Sequence, residues 1–314
     1  MSPEGYKHLF GPVPSRRLGR SLGVDLVPYK ACSFDCVFCQ LGRTTDKTVE
    51  RREYVPVDEV TKEIGEWVKS GDTADYITLS GSGEPTLNSE FGRVIDFIHG
   101  TASVPVALLT NGSLLGDPEV RKQASKADVV KISLSAWDQF SLSHVNRPHS
   151  AVKFDRLMEG IRLMRKEYGG EMWIEVFLVW GMNTTPEEVS HIAGLIKSIG
   201  PDRVHLNTAV RPPSEEFARA VPEDKMNELA RLFDPPAEII AEYSRDISAK
   251  TRATESEVLD MLRRRPCTME DICRVFGLHR NEASKYLGKL TRTGRVGEQR
   301  KENRIYYQAI HSGK

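Results

Sequence analysis

Residues 21–39 of this chain read SLGVDLVPYKACSFDCVFC, a strand-like half followed by three cysteines. The first half is short, apolar and rich in branched side chains, which is typical of a buried strand. Helix-like patterns separate this segment from five later segments of the same kind. The six predicted strands are residues 21–27, 76–80, 104–110, 128–135, 172–179 and 202–208.

The alternation of strands and helices predicts a mostly parallel α/β sheet. Val57, Val60 and Ile64 recur at helical spacing after the cysteine segment. Pro186 predicts a later helix start, and Gly200 predicts its end. Six units are too few for a closed eight-fold barrel. Spacing alone leaves a doubly wound sheet and an open partial barrel as the choices.

The last 60 residues follow a different pattern. Thr254-x-x-Glu257 and Thr268-x-x-Asp271 are capping boxes that predict two helix starts, and a third helix is expected at about residues 281–291. Segments 295–298 and 304–307 flank a polar turn at 299–303. This order predicts a winged helix-turn-helix domain. We therefore expect an α/β domain at residues 1–240, a linker at 241–252 and the small domain at 253–314.

Composition bounds the class of protein. The chain has 314 residues, of which 39% are hydrophobic and 28% charged, so it is globular and neither disordered nor collagen-like. No apolar run approaches the roughly 18 residues of a membrane span. We expect a cytoplasmic protein with no membrane partner. The net charge of zero is uneven, because residues 251–314 carry 14 Lys and Arg against 8 Asp and Glu.

The cysteine segment carries the sharpest chemical signal. Cys32, Cys36 and Cys39 crowd into eight positions, and thiolates are soft ligands that favour zinc or iron–sulfur clusters. A structural zinc site takes four protein ligands, and no fourth Cys or His lies nearby in sequence. Three thiolates on a four-iron cluster leave one iron open to a small molecule. Zinc and a loop of buried thiols remain as alternatives.

The order of these motifs resembles the radical S-adenosylmethionine (SAM) superfamily. C-x3-C-x-aromatic-C follows the first strand, Ser80-Gly-Ser-Gly-Glu-Pro85 follows the second, and Thr110-Asn-Gly112 follows the third. The resemblance covers about residues 10–233. It implies a partial (β/α)6 barrel, a [4Fe–4S] cluster on Cys32, Cys36 and Cys39, and SAM as cofactor. The winged helix-turn-helix is an addition to this fold.

The resemblance also implies a reaction and a set of SAM contacts. The reduced cluster would split SAM into methionine and a 5′-deoxyadenosyl radical, which takes hydrogen from a substrate held alongside. In the family motif the position of Ser82 is a glycine, so this chain departs there. The residues implied to bind SAM are Phe38, Ser82, Gly83, Glu84, Pro85, Asn111, Ser133 and Ser135.

Several strands carry polar residues on one face, which a buried strand accepts only for a reason. Either each is a hydrogen-bonded core group, or together they line a polar interior that holds substrate. Lys131, Glu175 and His205 are the catalytic candidates. Asn207, Arg147 and Arg211 are candidate substrate contacts. The basic stretch at residues 11–20 is either a solvated loop or a second grip on an anion.

Three longer segments narrow the resemblance to one group within this superfamily. PSRRLGR at 14–20, GSGEPTL at 81–87 and LNTAVRPP at 206–213 resemble uncharacterised iron–sulfur oxidoreductases grouped with tRNA wyosine synthase. That enzyme carries a second cysteine-ligated cluster, whereas residues 1–240 here hold no second cysteine triad. The resemblance is therefore to the group and not to the wyosine reaction.

The predicted winged helix is basic. Such a helix and wing neutralise phosphates in many nucleic-acid-binding domains, but basic residues also solvate a surface or contact a protein. The candidate nucleic-acid contacts are Arg280, Lys285, Lys289, Arg292, Arg300, Lys301 and Arg304.

Three classes of function follow from this pattern. The first is a radical SAM enzyme that acts on a macromolecule, such as tRNA or a protein, presented by the winged helix. The second acts on a small metabolite and uses the winged helix for regulation. The third is a SAM-sensing or redox-sensing regulator that binds nucleic acid. The first two need an electron donor, either a reductase or a protein of the flavodoxin or ferredoxin type.

Overall fold

The computed structural model describes residues 6–15, 17–240, 254–301 and 304–310. The strands are β1 Leu9–Ser15, β2 Gly19–Val24, β3 Ala31–Cys32, β4 Asp46–Lys47, β5 Tyr76–Leu79, β6 Val106–Thr110, β7 Val129–Ser133, β8 Glu171–Leu178, β9 Arg203–Thr208, β10 Glu238–Ile239, β11 Val296–Lys301 and β12 Arg304–Ala309. The helices are α1 Val57–Lys69, α2 Phe91–Thr101, α3 Pro118–Ala124, α4 Gln139–Val145, α5 Phe154–Glu167, α6 Pro186–Ile199, α7 Glu223–Ala230, α8 Glu255–Arg264, α9 Met269–Phe276 and α10 Arg280–Arg292. The predicted linker at 241–252 lies outside the described residues.

One sheet organises the larger part of the chain, with the strand order β1-β2-β5-β6-β7-β8-β9-β10. Neighbours from β2 to β10 pair in parallel, and β1 pairs antiparallel with β2. The six predicted strands are confirmed as β2 and β5 to β9, with ends shifted by at most about three residues. Their order never reverses, which is the arrangement of an open partial barrel and not of a doubly wound sheet.

The stretch at residues 11–20 differs from the predicted loop. Leu9–Ser15 forms β1, which pairs with β2 through contacts such as Leu9 with Val24. This strand contains Pro12 and Pro14, and proline cannot donate to a β-ladder. β1 lies at the edge of the sheet, where that missing donor is tolerated. The edge position could not be read from the stretch itself.

Helices pack on the sheet through the predicted apolar faces. In α1, Val60 and Ile64 are fully buried. Helix α6 begins at the predicted Pro186, after a capping box formed by Thr185 and Glu188. It ends at Gly200, whose φ of 68° is the left-handed conformation that glycine adopts at little cost. These helix ends are confirmed.

Residues 254–310, here called the C-terminal unit, contain α8 to α10 and an antiparallel hairpin of β11 and β12. Both predicted capping boxes are present, at Thr254 and Thr268. The hairpin strands are longer than predicted. The unit has its own apolar core, which includes the buried Cys267.

Across the described ranges, no helix combines the length and the apolar character that crossing a membrane requires.

Candidate active site

The three predicted cluster cysteines lie in one loop at the carboxyl edge of the sheet, between β2 and α1. All three are partly buried free thiols. Each sulfur accepts a hydrogen bond from a nearby nitrogen. The donors are Lys30 Nζ to Cys39 Sγ at 3.1 Å, Asn146 Nδ2 to Cys36 Sγ at 3.2 Å and Asn111 Nδ2 to Cys32 Sγ at 3.7 Å. N–H donors stabilise negative charge on sulfur, so the loop is suited to thiolates.

Three cysteine thiols in one loop are a donor set that fits an iron–sulfur cluster, whose ligands are thiolates. Zinc gathers four ligands around one point, whereas a four-iron cluster takes each thiolate on a different iron. Burial raises the pKa of Cys32 to about 12 and also raises that of Cys36. A bound metal would therefore have to displace the thiol protons.

The loop that follows β5 lies directly against the cysteine loop. Lys30 N donates to Ser82 O at 2.8 Å, and Glu84 N donates to Ala31 O at 3.1 Å. A Cβ atom on Gly83 would stand 1.7 Å from the carbonyl oxygen of Ala31. Only glycine fits this backbone contact, so the second half of the predicted SAM motif has a structural reason as well.

Ser82 stands where the resembling family has glycine, and the structure gives it a partner. Its hydroxyl donates to Asp25 Oδ2 at 2.6 Å, and its backbone N–H donates to Asp25 Oδ1 at 2.9 Å. Asp25 follows β2, so these two bonds fasten the loop after β5 to the end of the neighbouring strand. Pro85 then opens a buried 3-10 turn. Serine in place of the family's glycine therefore adds one hydrogen bond, from the Ser82 hydroxyl to Asp25, that holds this loop.

Glu84 is buried and accepts four hydrogen bonds from the chain itself. Its Oε1 accepts from Thr86 N at 3.2 Å, Thr86 Oγ1 at 2.6 Å and Thr110 Oγ1 at 2.7 Å. Its Oε2 accepts from Asn111 N at 2.7 Å. Burial raises the pKa of Glu84, and these hydrogen bonds oppose that shift. The carboxylate therefore joins the loops that follow β5 and β6, and both loops face the cysteines.

The interior of the sheet holds a charged cluster. Glu175 Oε2 accepts from Lys131 Nζ at 2.8 Å and from the Arg17 guanidinium, and Glu175 Oε1 accepts from Asn207 Nδ2 at 3.0 Å. Burial alone would raise the pKa of Glu175, but the charges of Arg17 and Lys131 outweigh it and hold that pKa well below its usual range. Burial lowers the pKa of Lys131. The predicted residues Lys131, Glu175 and Asn207 thus lie in contact with one another. Arg17, which was not predicted, joins them.

His205 borders this cluster. It pairs with Glu175 across β8 and β9 and meets the edge of the Trp173 ring at 5.3 Å between centroids. Burial lowers the pKa of His205 to about 4, and the nearby Glu175 opposes this. Its Nδ1 is buried, and the described part of the chain offers it no hydrogen-bond partner. At neutral pH the imidazole is therefore uncharged.

The remaining predicted SAM contacts lie above this interior. Phe38 stacks on Phe177, with ring centroids 4.0 Å apart and planes at 8°. Ser135 is buried, and its hydroxyl accepts from Phe177 N at 2.9 Å. Ser133 is partly exposed at the end of β7, beside Glu175. Phe177 thus links two of the predicted contacts, a role that the sequence did not indicate.

The two predicted substrate arginines engage protein groups. Arg147 Nη1 pairs with Glu215 Oε1 at 2.5 Å, and its guanidinium lies 5.9 Å from the Phe217 ring centre. Burial, and then the charge of Arg265 in the C-terminal unit, lower the pKa of Arg211 to about 10. Both arginines lie at the predicted edge, and Arg147 would have to give up its pairing with Glu215 to meet an anion.

The predicted nucleic-acid residues do not share one environment. Lys301 Nζ donates to Ala209 O at 2.5 Å and to Arg211 O at 3.2 Å, so its amine contacts the loop after β9, and its phosphate contact stays a prediction. Two others form ion pairs, Arg280 with Glu270 at 3.4 Å and Lys289 with Glu255 at 2.6 Å. The exposed remainder are Lys285, Arg292, Arg300 and Arg304.

Three site residues escaped the sequence analysis: Arg17, Lys30 and Asn146. Arg17 reaches the interior from the turn between β1 and β2, and Asn146 reaches Cys36 from the end of α4. Lys30 has a φ of 62°, which is uncommon for a side-chain-bearing residue and turns its amine towards Cys39. Of these three residues, only Arg17 had a signal in the sequence, because it lies in the basic stretch at residues 11–20. That stretch did not show which of its arginines reaches the interior.

The loop at 209–219 is fastened to the cysteine loop as well. Ser214 Oγ donates to the carbonyl oxygens of Cys36 and Val37, both at 2.9 Å. Glu215 N donates to Val37 O at 3.1 Å. The loop after β9 therefore contacts the cysteine loop at one end and the C-terminal unit at the other.

A mostly parallel sheet with a three-cysteine loop after its first parallel strand defines the class of protein. Residues 26–196 match the Radical SAM superfamily. The chain therefore belongs to the radical SAM superfamily and is a radical SAM enzyme. Members of this superfamily use a [4Fe–4S] cluster and SAM. Cys32, Cys36 and Cys39 would hold the cluster here.

Relatives with similar sequences come from several organisms. The chain is 34% identical over 227 residues to a UPF0026 protein of Methanocaldococcus jannaschii, covering 72% of this chain and 70% of that protein. It is 36% identical over 297 residues to a protein of Brachyspira hyodysenteriae named GTPase Obg, covering 93% of this chain. The match covers 44% of that protein, so this chain spans less than half of its length.

Solved structures share the fold. A radical SAM methyltransferase from Sphaerobacter thermophilus superposes with a TM-score of 0.56 at 19% identity, over 72% of this chain and 66% of that one. Streptococcus suis SuiB bound to SAM gives 0.51 at 14% identity, over 70% and 50%. At these identities the likeness establishes the fold.

Proposed function

We propose that this radical SAM enzyme takes hydrogen from a macromolecular substrate, with tRNA as the first candidate, and that its C-terminal unit is a winged helix that presents the substrate. When bound, the cluster and SAM supply a 5′-deoxyadenosyl radical. The chain's own residues hold the cofactors and place the substrate. A reductase, or a flavodoxin or ferredoxin, would donate the electron.

The observation that carries this proposal is the position of the C-terminal unit. Tyr306 Oη donates to Val210 O at 3.0 Å, and Lys301 Nζ donates to Ala209 O. Both carbonyls follow β9, and the same loop bonds to the cysteine loop through Ser214. The hairpin of β11 and β12 therefore lies beside the edge that carries the cysteines.

Exposed aromatic side chains support a large substrate. Within the described ranges, the exposed aromatic side chains are Phe140, Trp180 and Phe217, at 68%, 42% and 50% exposure. Trp180 and Phe217 lie on the loops that follow β8 and β9, and Phe140 lies in α4, which follows β7. All three segments therefore come after the carboxyl ends of their strands, at the edge that carries the cysteines. Exposed aromatic rings of this kind stack on unpaired bases in RNA-binding proteins.

Charge favours an anionic partner such as RNA over a neutral or basic protein surface. Lys285, Arg292 and Arg300 are exposed on α10 and β11. Basic residues at these positions of a helix and its wing neutralise phosphates. The kinship of the chain with proteins grouped with tRNA wyosine synthase makes tRNA the first RNA to test.

The class of reaction is tested first by SAM cleavage. The protein is reconstituted anaerobically with iron and sulfide, reduced, and assayed for 5′-deoxyadenosine. We expect product from the wild type and from Cys273→Ala, a matched cysteine variant in the C-terminal unit, and none from Cys36→Ala. Product from Cys36→Ala would contradict the assignment of the cluster.

The substrate class is tested by RNA binding. The double variant Lys285→Glu, Arg292→Glu should bind total tRNA about tenfold or more weakly and show a smaller salt dependence. The control variant Arg162→Glu, Lys166→Glu changes two exposed basic residues of α5 and should bind as the wild type does. Equal tRNA binding by both double variants would contradict the role of the C-terminal unit.

A small metabolite is the second candidate, and the enclosed charged interior favours it. Lys131 and Glu175 are buried with 9% and 8% of their side chains exposed, which suits a compact polar ligand better than a folded RNA. Under this candidate a metabolite pool would raise 5′-deoxyadenosine formation equally in the wild type and in the Lys285→Glu, Arg292→Glu variant. If the protein binds a cluster and SAM but turns over no substrate, this would instead indicate a SAM-sensing or redox-sensing regulator.

A further inference from the structure

The interior of the sheet has two layers. The lower layer is apolar and contains the buried side chains of Leu18, Ala107, Val129 and Trp173. Above it lies a second layer with the charged side chains of Arg17, Lys131 and Glu175. A polar ligand that enters from the carboxyl edge therefore meets these charges before the apolar floor.

The charges of the second layer do not balance. Arg17 and Lys131 both donate to the same oxygen of Glu175, while Asn207 occupies the other. Two cations thus share one carboxylate. His205 is neutral at physiological pH because burial lowers its pKa to about 4. Two further carboxylates act on this layer from outside it. Glu84 acts on Lys131 through its charge, but its oxygens accept four hydrogen bonds from its own loops. Glu238 Oε2 lies 3.8 Å from His205 Nε2.

Two buried nitrogen atoms at this layer have no hydrogen-bond partner among the residues that the structure describes. They are Arg17 Nε and His205 Nδ1. His205 is 2% exposed, and it interacts electrostatically with Arg17, Lys131 and Glu175. A buried donor without a partner costs about 1–3 kcal/mol. The layer therefore has both excess positive charge and unused hydrogen-bonding capacity.

We propose that this layer binds an oxyanion group of the substrate, a carboxylate or a phosphate, through Arg17 and Lys131. The inference rests on the proposed function for the identity of the ligand as substrate. A guanidinium presents its N–H groups in a fork that matches both oxyanions. An anion here would offset the second cation and give Arg17 Nε an acceptor. Glu175 then holds the two cations in place while the site is empty of substrate.

The geometry indicates that Arg17 does more than form an ion pair with Glu175. One cation would be enough to pair Glu175, and Lys131 already lies 2.8 Å from it. Arg17 comes from a different element, the turn between β1 and β2, and its side chain keeps 16% exposure. It can therefore turn towards a ligand while Lys131 continues to pair Glu175.

The test uses the full chain with its cluster reconstituted. Binding of inorganic phosphate and of acetate is measured by calorimetry at constant ionic strength, without reductant. Arg17→Met should weaken oxyanion binding about tenfold or more, and Glu175→Gln should strengthen it by a similar factor because both cations are released. Arg17→Met leaves Lys131 paired with Glu175, and Glu175→Gln keeps the bond from Asn207 but removes the counter-charge of both cations. Urea denaturation of each variant therefore establishes that it is folded before its binding is measured. The control is Arg20→Met, since Arg20 lies on the same hairpin but bonds Thr73.

Opposite shifts for Arg17→Met and Glu175→Gln, with Arg20→Met unchanged, would support the site. A preference for phosphate or for acetate would identify which oxyanion the substrate carries. Equal binding by all four proteins, or no binding by Glu175→Gln, would overturn the proposal. So would an equal loss of SAM affinity in Arg17→Met, because the arginine would then bind SAM. None of these readouts depends on SAM cleavage, so a failure of the proposed function would be seen separately.

Discussion

Glu84 at the carboxyl edge and Glu175 in the interior are both buried, at 2% and 6% exposure, but their partners differ in kind. Neutral hydroxyl and backbone donors surround Glu84, and burial raises its pKa. Two cations surround Glu175, and they hold its pKa low in spite of burial. The first carboxylate joins two loops, and the second balances charge.

The difference shows what each region requires. At the edge, loops must stay close enough for the cysteines and the SAM motif to act together, and neutral hydrogen bonds and tight backbone contacts provide this. In the interior, charges must stay ionised away from water, which only an opposite charge achieves at moderate cost. Substitutions should therefore disturb geometry in one region and charge balance in the other.

The largest effect on stability is expected from Glu175→Leu. It leaves Arg17 and Lys131 buried without a counter-charge, and breaking a buried pair on one side costs about 3–5 kcal/mol. Glu175→Gln keeps the shape and the bond from Asn207 and should cost less. Urea denaturation of both variants measures this order. Equal stability of Glu175→Leu and the wild type would show that the interior charge does not need its partner.

Gly83→Ala tests the backbone contact at the edge. The added methyl would overlap the Ala31 carbonyl, 1.7 Å away, so the loop must move. We expect a loss of about 1–3 kcal/mol and reduced cluster content, since overpacking forces backbone shifts. Gly100→Ala is the matched control, because a methyl at that position in α2 meets nothing within 4 Å. Cluster content is read from iron and sulfide analysis.

Glu84→Ala removes the acceptor that joins the loops after β5 and β6. It leaves donors of Thr86, Thr110 and Asn111 unsatisfied, at a cost of about 1–2 kcal/mol after relaxation. SAM binding should fall more than cluster assembly, because Cys32, Cys36 and Cys39 keep their positions in their own loop. Calorimetry with SAM and iron analysis separate the two. Unchanged SAM affinity would remove Glu84 from the site.

The smallest effect concerns pH in the interior. Burial lowers the pKa of His205 from 6.5 to about 4 in the folded protein, so the unfolded chain takes up a proton first as the pH falls. Stability from this residue is full above pH 6.5 and declines as the pH falls towards 4. Between pH 7 and 5.5 the loss is about 1 kcal/mol. It should shrink in His205→Asn, and an unchanged pH slope would contradict a neutral buried imidazole.

Local signals in the sequence account for the strands and helix ends. Gly200 ends α6, and Thr254 and Thr268 cap the starts of α8 and α9, as predicted. These features depend on residues within four positions of each other, which is why a single sequence reveals them. The cysteine spacing and the motif order were sufficient to predict a [4Fe–4S] cluster and SAM as the cofactors.

Contacts between distant segments could not be predicted in this way. Arg17 and Glu175 are 158 positions apart, and Asn146 reaches Cys36 across 110 positions. Arg147 carried the signal of an anion contact, yet Glu215 satisfies it within the chain. A basic residue in sequence shows that a charge needs a partner, and only the fold shows which partner it meets.

Ser214 links the cysteine loop to the same loop that the C-terminal unit contacts. Its hydroxyl holds the carbonyl oxygens of Cys36 and Val37, and the C-terminal unit holds the carbonyls of Ala209 and Val210 a few residues earlier. Coupling free energy between two sites is reciprocal. A partner that moved loop 209–219 on binding the C-terminal unit would therefore change the affinity of the cysteine loop for an iron–sulfur cluster. Cluster assembly would then change the affinity for that partner by the same factor.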